Sequence, residues 1–205
     1  MIECSVQPAN VDRYRLRASI QEKYAAVAET PEQGFHFHTG RPLAEMLGYT
    51  ADDVDWLPAA TVESFAGTGN PLSMGALQPG ETVLDIGAGA GLDTLLAARQ
   101  VGPTGRVIAV DMTESMLGRT RDGARALRLD NVDARLGYAE ELPVADASID
   151  VVISNGVFNL APDKVRVLEE VRRVLRPGGH IQIGDVVIRR DMPQDAREDI
   201  DLWSG

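Results

Sequence analysis

The stretch Leu84-Asp85-Ile86-Gly87-Ala88-Gly89-Ala90-Gly91-Leu92-Asp93 decides the fold. It leaves a short apolar run, Thr82 to Asp85, read as a buried strand, and opens a periodic segment, Leu92 to Val101, read as a helix. Glycines at such a turn let the backbone reverse sharply and let a ligand approach the main chain closely. Their order discriminates between ligands. A dinucleotide fingerprint, G-x-G-x-x-G, needs glycine where this chain has Leu92, and a P-loop needs a G-K-[ST] ending that is absent. The order here is D-x-G-x-G-x-G.

Downstream, strands and helices alternate. Arg106 to Val110, Val132 to Leu136, Ile149 to Ser154 and His180 to Val187 read as strands; Glu114 to Leu129 and Lys164 to Leu175 read as helices, the latter with Val165, Leu168, Val171, Val174 and Leu175 at helical spacing; Pro177-Gly178-Gly179 reads as a turn. The unbroken apolar run from Ile149 suits a strand covered on both faces. Such alternation implies a parallel sheet with helices on both faces. Asp111 ends the second strand, where a carboxylate can accept from both ribose hydroxyls of a nucleoside. Thr113 is the better-placed cap for the helix that follows, which leaves Asp111 for a ligand.

The glycine loop resembles motif I of the class I S-adenosylmethionine-dependent methyltransferases. So do Gly137-Tyr138-Ala139-Glu140-Glu141-Leu142-Pro143, Ser148 to Asn155, and Arg173-Val174-Leu175-Arg176-Pro177-Gly178-Gly179, all in family order. The resemblance implies a Rossmann-like α/β fold and S-adenosylmethionine as cofactor, with S-adenosylhomocysteine as its product. Carried over position by position, it implies cofactor contacts at Asp85, Gly87, Ala88, Gly89, Gly91, Asp93, Asp111, Met112, Met116, Ala139, Glu140, Ser154, Asn155, Gly156 and Asn159. Met112 and Met116 would form an apolar wall against adenine. Many relatives have Asp where this chain has Tyr138, which moves the adenine amine contact to Glu140 or to backbone near Ala139.

Val101 to Thr113, Ile153 to Lys164 and Gly67-Thr68-Gly69-Asn70-Pro71 further resemble the arsenite methyltransferase family. Its members carry cysteines where this chain has Thr68 and Gly156, and a third thiol after a D-L-W-S segment like the one near Gly205. Arsenite is soft and thiophilic. The single Cys4 does not replace three thiols. Fold and cofactor therefore carry over, while arsenite binding through the usual thiols does not. The expected function is methyl transfer to another small molecule, the alternative being a catalytically inactive or truncated cofactor-binding module. A nicotinamide oxidoreductase conflicts with Leu92.

The acceptor side is less legible. Thr68, Phe158, Phe65 and the pair His36 and His38 are candidates to line it. In an extended segment the two histidines point the same way. They could flank a substrate, but a packing or lid segment without chemistry is the preferred reading, and two histidines without a third ligand make no metal site.

Composition sets the outer bounds. The chain has 205 residues, 44% hydrophobic, with 31 acidic against 20 basic residues and a net charge of -11. That balance, and the lack of an N-P-P-Y-type sequence after strand four, disfavour a nucleic-acid acceptor. No apolar run is long enough to span a membrane and no signal peptide is visible, so a cytoplasmic protein is expected. Three parts are expected: an N-terminal extension, 1–78, with helical segments at 12–29, 41–49 and 52–57, a turn at 67–71 and a further helix before Gln78, capping the pocket; the cofactor-binding core, 79–188; and a tail, 189–205. The family fold has seven strands and five are identifiable here. Lacking the last two, the edge near His180 to Val187 would be open to pairing with a second copy. The break-off at Gly205 leaves open a natural end, a fragment boundary, or a selenocysteine codon read as stop.

Overall fold

The computed structural model describes residues 12–30, 33, 35, 37–187 and 199–203. Four N-terminal helices come first: α1 (Arg13–Glu29), α2 (Gly40–Met46), α3 (Ala51–Trp56) and α4 (Ala59–Glu63). The α/β part follows as β1 (Thr82–Ile86), α5 (Leu92–Val101), β2 (Arg106–Asp111), α6 (Glu114–Leu127), β3 (Val132–Leu136), β4 (Ile149–Asn155), α7 (Lys164–Val174) and β5 (Leu175–Gly184). A short helix, α8 (Ile200–Trp203), comes last.

The five strands form one sheet in the order β3-β2-β1-β4-β5, every pair parallel. Period-2 side chains split between two cores. Leu84, Ile86, Ile108 and Val110 face α7 through Val167, Val171 and Val174. Val83, Val107, Val151 and Ile153 face α5 through Ala97, Ala98 and Val101. The β4–β5 register slips between Ile149 and Val151, with the extra residues on β5, and Ile149 and Val152 both pack in the α7 core. The strand order reverses beside β1, which puts the glycine loop in the crevice between β1 and β4 where open α/β sheets bind ligands.

The N-terminal helices pack onto this core. Asp12 caps α1, its Oδ1 accepting from the amides of Tyr14 at 2.8 Å and Arg15 at 3.2 Å. Leu16 and Ile20 of α1 pack with Trp203 of α8. Leu43, Tyr49, Val54 and Phe65 pack with Leu92 and Leu95 of α5.

Four local expectations fail for identifiable reasons. The helix expected between Pro71 and Gln78 is only a 3-10 turn, Pro71–Met74, held by Asn70 and ended at Gly75. The Pro177-Gly178-Gly179 turn is absorbed into β5, which starts at Leu175 directly after α7, and the strand ends at Gly184, short of Val187. Helix α7 does not bury a single apolar stripe. Val165 and Leu168 are about half exposed, while Glu170 is buried, held by Arg173 at 2.7 Å and by the Leu142 amide at 2.9 Å. Thr113 occupies the N-cap of α6 without a side-chain cap bond; the Asp111 carboxylate accepts from the Thr113 amide instead.

Candidate functional site

A cleft of about 1030 Å³, its open mouth included, lies over the C-terminal ends of β1, β2 and β4. Its floor is the glycine loop. Gly87 has φ +72°, and a Cβ there would overlap the Val157 side chain. The amides of Gly87 and Ala88 bond to the Val110 carbonyl, which ties the loop to β2. Asp111, at the end of β2, accepts from the Gly89 amide at 2.9 Å and the Thr113 amide at 2.8 Å. Met112, Met116, Ala139 and Glu140 complete one end of the cleft; Asp93, Asn155 and Gly156 lie towards the other.

Three carboxylates gather here, Asp93 and Asp111 in the lining of the cleft and Asp85 below the loop; Asp85 and Asp93 are buried and Asp111 part-buried. Burial pushes Asp85 up to about 8, with the charge of Asp93 adding to it and the Thr94 hydroxyl, donating at 2.6 Å, opposing it. Burial also pushes Asp93 up to about 6, against hydrogen bonds from Tyr49 and Asn155. Asp111 is raised by burial against its backbone bonds. The partners of all three are hydroxyls, a side-chain amide and backbone N–H groups. Such a site favours a positively charged ligand.

Not every expected residue reaches the cleft. Asp85 lies below the loop, bonded to Thr94. A Cβ on Gly91 would come within 2.9 Å of the Thr120 hydroxyl, so this glycine serves packing against α6. Ser154 is fully buried and donates to the Ile86 carbonyl. The amides of Phe158 and Asn159 donate to Asp185, and the Phe158 ring packs against the α7 core. Thr68 and His38 are exposed, and neither lines the cleft; His36 lies outside the described residues. The side chains of Asp93 and Asn155 face the cleft but already bond to one another at 3.0 Å.

Other residues also line the cleft, and of these only Phe65 carries an expectation from the sequence. Helix α1 contributes Arg17, Ile20 and Tyr24. The Arg17 guanidinium stacks over Tyr138, 4.6 Å from the ring centre, and meets Glu140 at 3.1 Å. Burial, with Asp111 and Asp185 nearby, pushes the Tyr24 hydroxyl up to about 12, so it stays protonated. Thr61, Ser64, Phe65 and Gly67 line the side facing Val157 and Leu160. Arg17, Ile20, Tyr24 and Thr61 come from helices and Ser64, Phe65 and Gly67 from the chain after α4, and only the fold shows that they meet at the cleft.

Gly156 and Thr68 stand next to one another. Gly156 has φ +73°, and a Cβ there would lie 3.1 Å from the Thr68 methyl. Among the described residues, no group of three or more His, Cys, Asp or Glu is placed to hold a metal ion, and no helix is long and apolar enough to cross a membrane.

A parallel 3-2-1-4-5 sheet, a glycine loop after β1 and an acid closing β2 beside the cleft mark the fold of the class I S-adenosylmethionine-dependent methyltransferases. Residues 77–204 match a family described as "Methyltransferase domain", and the chain belongs to that family. It is related to the arsenite methyltransferases. It is 50% identical over 211 aligned positions to an arsenite methyltransferase of Halobacterium salinarum, covering 96% of this chain and 54% of that protein. The chain thus spans about half the length of that relative. A crystal structure of an arsenic (III) S-adenosylmethionine methyltransferase from Chlamydomonas reinhardtii superimposes with TM-score 0.65 at 41% identity, over 71% of this chain and 51% of that one. A methyltransferase from Aquifex aeolicus shares the fold over 91% of this chain and 80% of its own, with TM-score 0.52 at 21% identity.

Proposed function

We propose that the chain transfers a methyl group to a small-molecule acceptor that is not arsenite held by protein thiols. S-adenosylmethionine, when bound, supplies a methyl on a sulfonium for in-line displacement and leaves S-adenosylhomocysteine. The residues present fit such a cation, because Asp93 and Asp111, which line the cleft, take their hydrogen bonds from a hydroxyl, a side-chain amide and backbone N–H groups rather than from cationic side chains. Asp111 would take the ribose hydroxyls, the backbone of Gly87 to Gly89 the amino-acid end, and Met112, Met116 and Glu140 the adenine. Arg17, Ile20 and Tyr24 would exclude water from above, which supports reading residues 1–78 as a cap on a 79–188 core, with 189–205 as a tail. Positioning of this kind contributes up to ~7–11 kcal/mol to a displacement.

The juxtaposition of Thr68 with Gly156 carries the reading of the acceptor. The two positions where the resemblance expects thiols are adjacent, and here they offer a hydroxyl and a hydrogen. Neither is a soft ligand. The test is transfer of label from S-adenosylmethionine to arsenite with glutathione, beside a library of hydroxyl, amine and carbon acceptors. The expected result is labelled product from the library and none from arsenite; efficient arsenite methylation would overturn the reading. Cofactor binding without transfer to any acceptor would make the chain a binding module.

The same reading includes a cytoplasmic protein, no nucleic-acid acceptor and self-association through β5. Half-exposed Ile181 and Val186 and exposed Val187 at that edge support the last point. Sedimentation that gives a monomer at high concentration would remove it.

A further inference from the structure

Asn155 ends β4 and faces the cleft, which would make it a cofactor contact by position. Its amide is already in use. Oδ1 accepts from the backbone N–H of Thr68 at 2.8 Å and of Gly69 at 2.9 Å. Nδ2 faces the Gly69 carbonyl at 2.8 Å, Asp93 Oδ2 at 3.0 Å and the Tyr49 hydroxyl at 3.1 Å. The orientation of the amide is thereby fixed, since every neighbour of the oxygen is a donor and every neighbour of the nitrogen can accept. Tyr49 in turn donates to Asp93 Oδ1 at 2.6 Å. Space is equally committed. A Cβ on Gly67 would come within 2.5 Å of Asn155 Nδ2, and one on Gly69 within 2.9 Å of the Gly184 Cα.

We infer that Asn155 is a positioning residue: it pins the 67–69 segment, whose Gly67 lines the cleft, to Asp93 at the start of α5, so that this segment and the cofactor loop move as one body. The inference rests on the methyltransferase reading, in which Gly67 and Gly156 lie on the acceptor side of the cleft. It removes Asn155 from the cofactor ligands. The bridge joins three otherwise separate pieces of chain, the 67–69 segment, the loop before α3 carrying Tyr49, and α5. The cost of breaking it therefore falls on alignment of the two reactants rather than on cofactor affinity.

The titratable groups facing Asn155 are Asp93 and Tyr49, with Asp85 in electrostatic reach of Asp93; Asp185, on the β5 side, bonds to the Phe158 and Asn159 amides. An N155D variant keeps the shape and both N–H acceptances but sets two carboxylates against one another. A proton shared between them restores the bridge at low pH. The experiment measures amide hydrogen exchange at Thr68 and Gly69, corrected for intrinsic rates, and S-adenosylhomocysteine affinity by calorimetry, in wild type, N155D and N155A. The expected result for N155D is exchange at least tenfold faster than wild type at pH 8.5, with protection regained at pH 6. In N155A exchange is fast at both pH values, while S-adenosylhomocysteine affinity stays within about threefold of wild type. Wild-type protection in N155A, or a loss of affinity beyond tenfold in that variant, overturns the inference. If N155A does not fold, the pH-reversible exchange of N155D decides alone. Wild-type protein that binds no S-adenosylhomocysteine would sink the methyltransferase reading, while the exchange data would still judge the bridge.

Discussion

The carboxylate of Asp111 accepts a hydrogen bond from the amide of Gly89 at 2.9 Å, joining the end of β2 to the middle of the glycine loop. One side chain therefore both shapes the loop and presents a part-buried anion to the cleft. Replacing it with Asn keeps the volume and removes the charge. A hydrogen bond to a charged group contributes about 1.5–3 kcal/mol. Asp111→Asn and Asp111→Ala are accordingly expected to weaken S-adenosylmethionine binding about ten- to a hundredfold in calorimetry. A change below threefold would remove Asp111 from the binding site.

The buried acids make both stability and binding depend on pH, with opposite signs. In the folded, ligand-free chain Asp85 titrates near 8 and Asp93 near 6, both above the ordinary value of about 3.9 expected when unfolded. The folded state then holds protons that the unfolded state has released. The resulting stability is complete below about 4 and is lost as pH rises through 6 and 8. The ligand-free melting temperature should rise on going from pH 9 to pH 6. A cationic ligand prefers ionised acids, so S-adenosylmethionine should bind more weakly over the same descent and release protons on binding. Calorimetry in two buffers of different ionisation enthalpy measures that release, and proton uptake would contradict the assignment.

Gly87 is set by two independent demands, a left-handed φ and the Val157 side chain. Gly87→Ala should cost stability through both backbone strain, of order 1–3 kcal/mol, and overlap, and should abolish cofactor binding. The double variant Gly87→Ala, Val157→Ala removes the overlap and leaves the strain. It is expected to recover part of the lost stability in denaturant unfolding but not the binding. Equal stability of the single and double variants would mean that Val157 yields freely.

The glycine order, the acid at Asp111 and the apolar strands made the sheet and its loop readable, because these depend on local geometry and period. A cap over the pocket was expected, but the residues that line the cleft from it were not: Arg17 and Tyr24 sit on a helix whose pattern serves several neighbours, Ser64 follows α4, and nothing local marks which side meets the loop. Asn155 and Asp93 line the cleft, and sequence spacing does not reveal that they bond to each other. Val165 and Leu168 misled for a related reason. Helical period identifies an apolar residue on a face, whereas the buried Glu170 shows that the packed face of α7 is partly polar.

Helix α1 closes the cleft through bonds that can be removed one at a time. Arg119 donates to the Ala28 carbonyl twice, at 3.0 and 2.6 Å, and Gln21 donates to the Met112 carbonyl at 2.7 Å. Neither side chain lines the cleft, so their loss loosens the cap without deleting a ligand contact. At about 1 kcal/mol per bond, Arg119→Ala together with Gln21→Ala should release roughly 2–3 kcal/mol of closure. On the proposed reading of α1 as a cap, S-adenosylhomocysteine dissociation in stopped flow should accelerate by more than tenfold. Association should change less, because entry already requires an open cap in the wild type. Unchanged dissociation in the double variant would mean that α1 is fixed by the packing of Leu16 and Ile20 on Trp203 and does not gate the ligand.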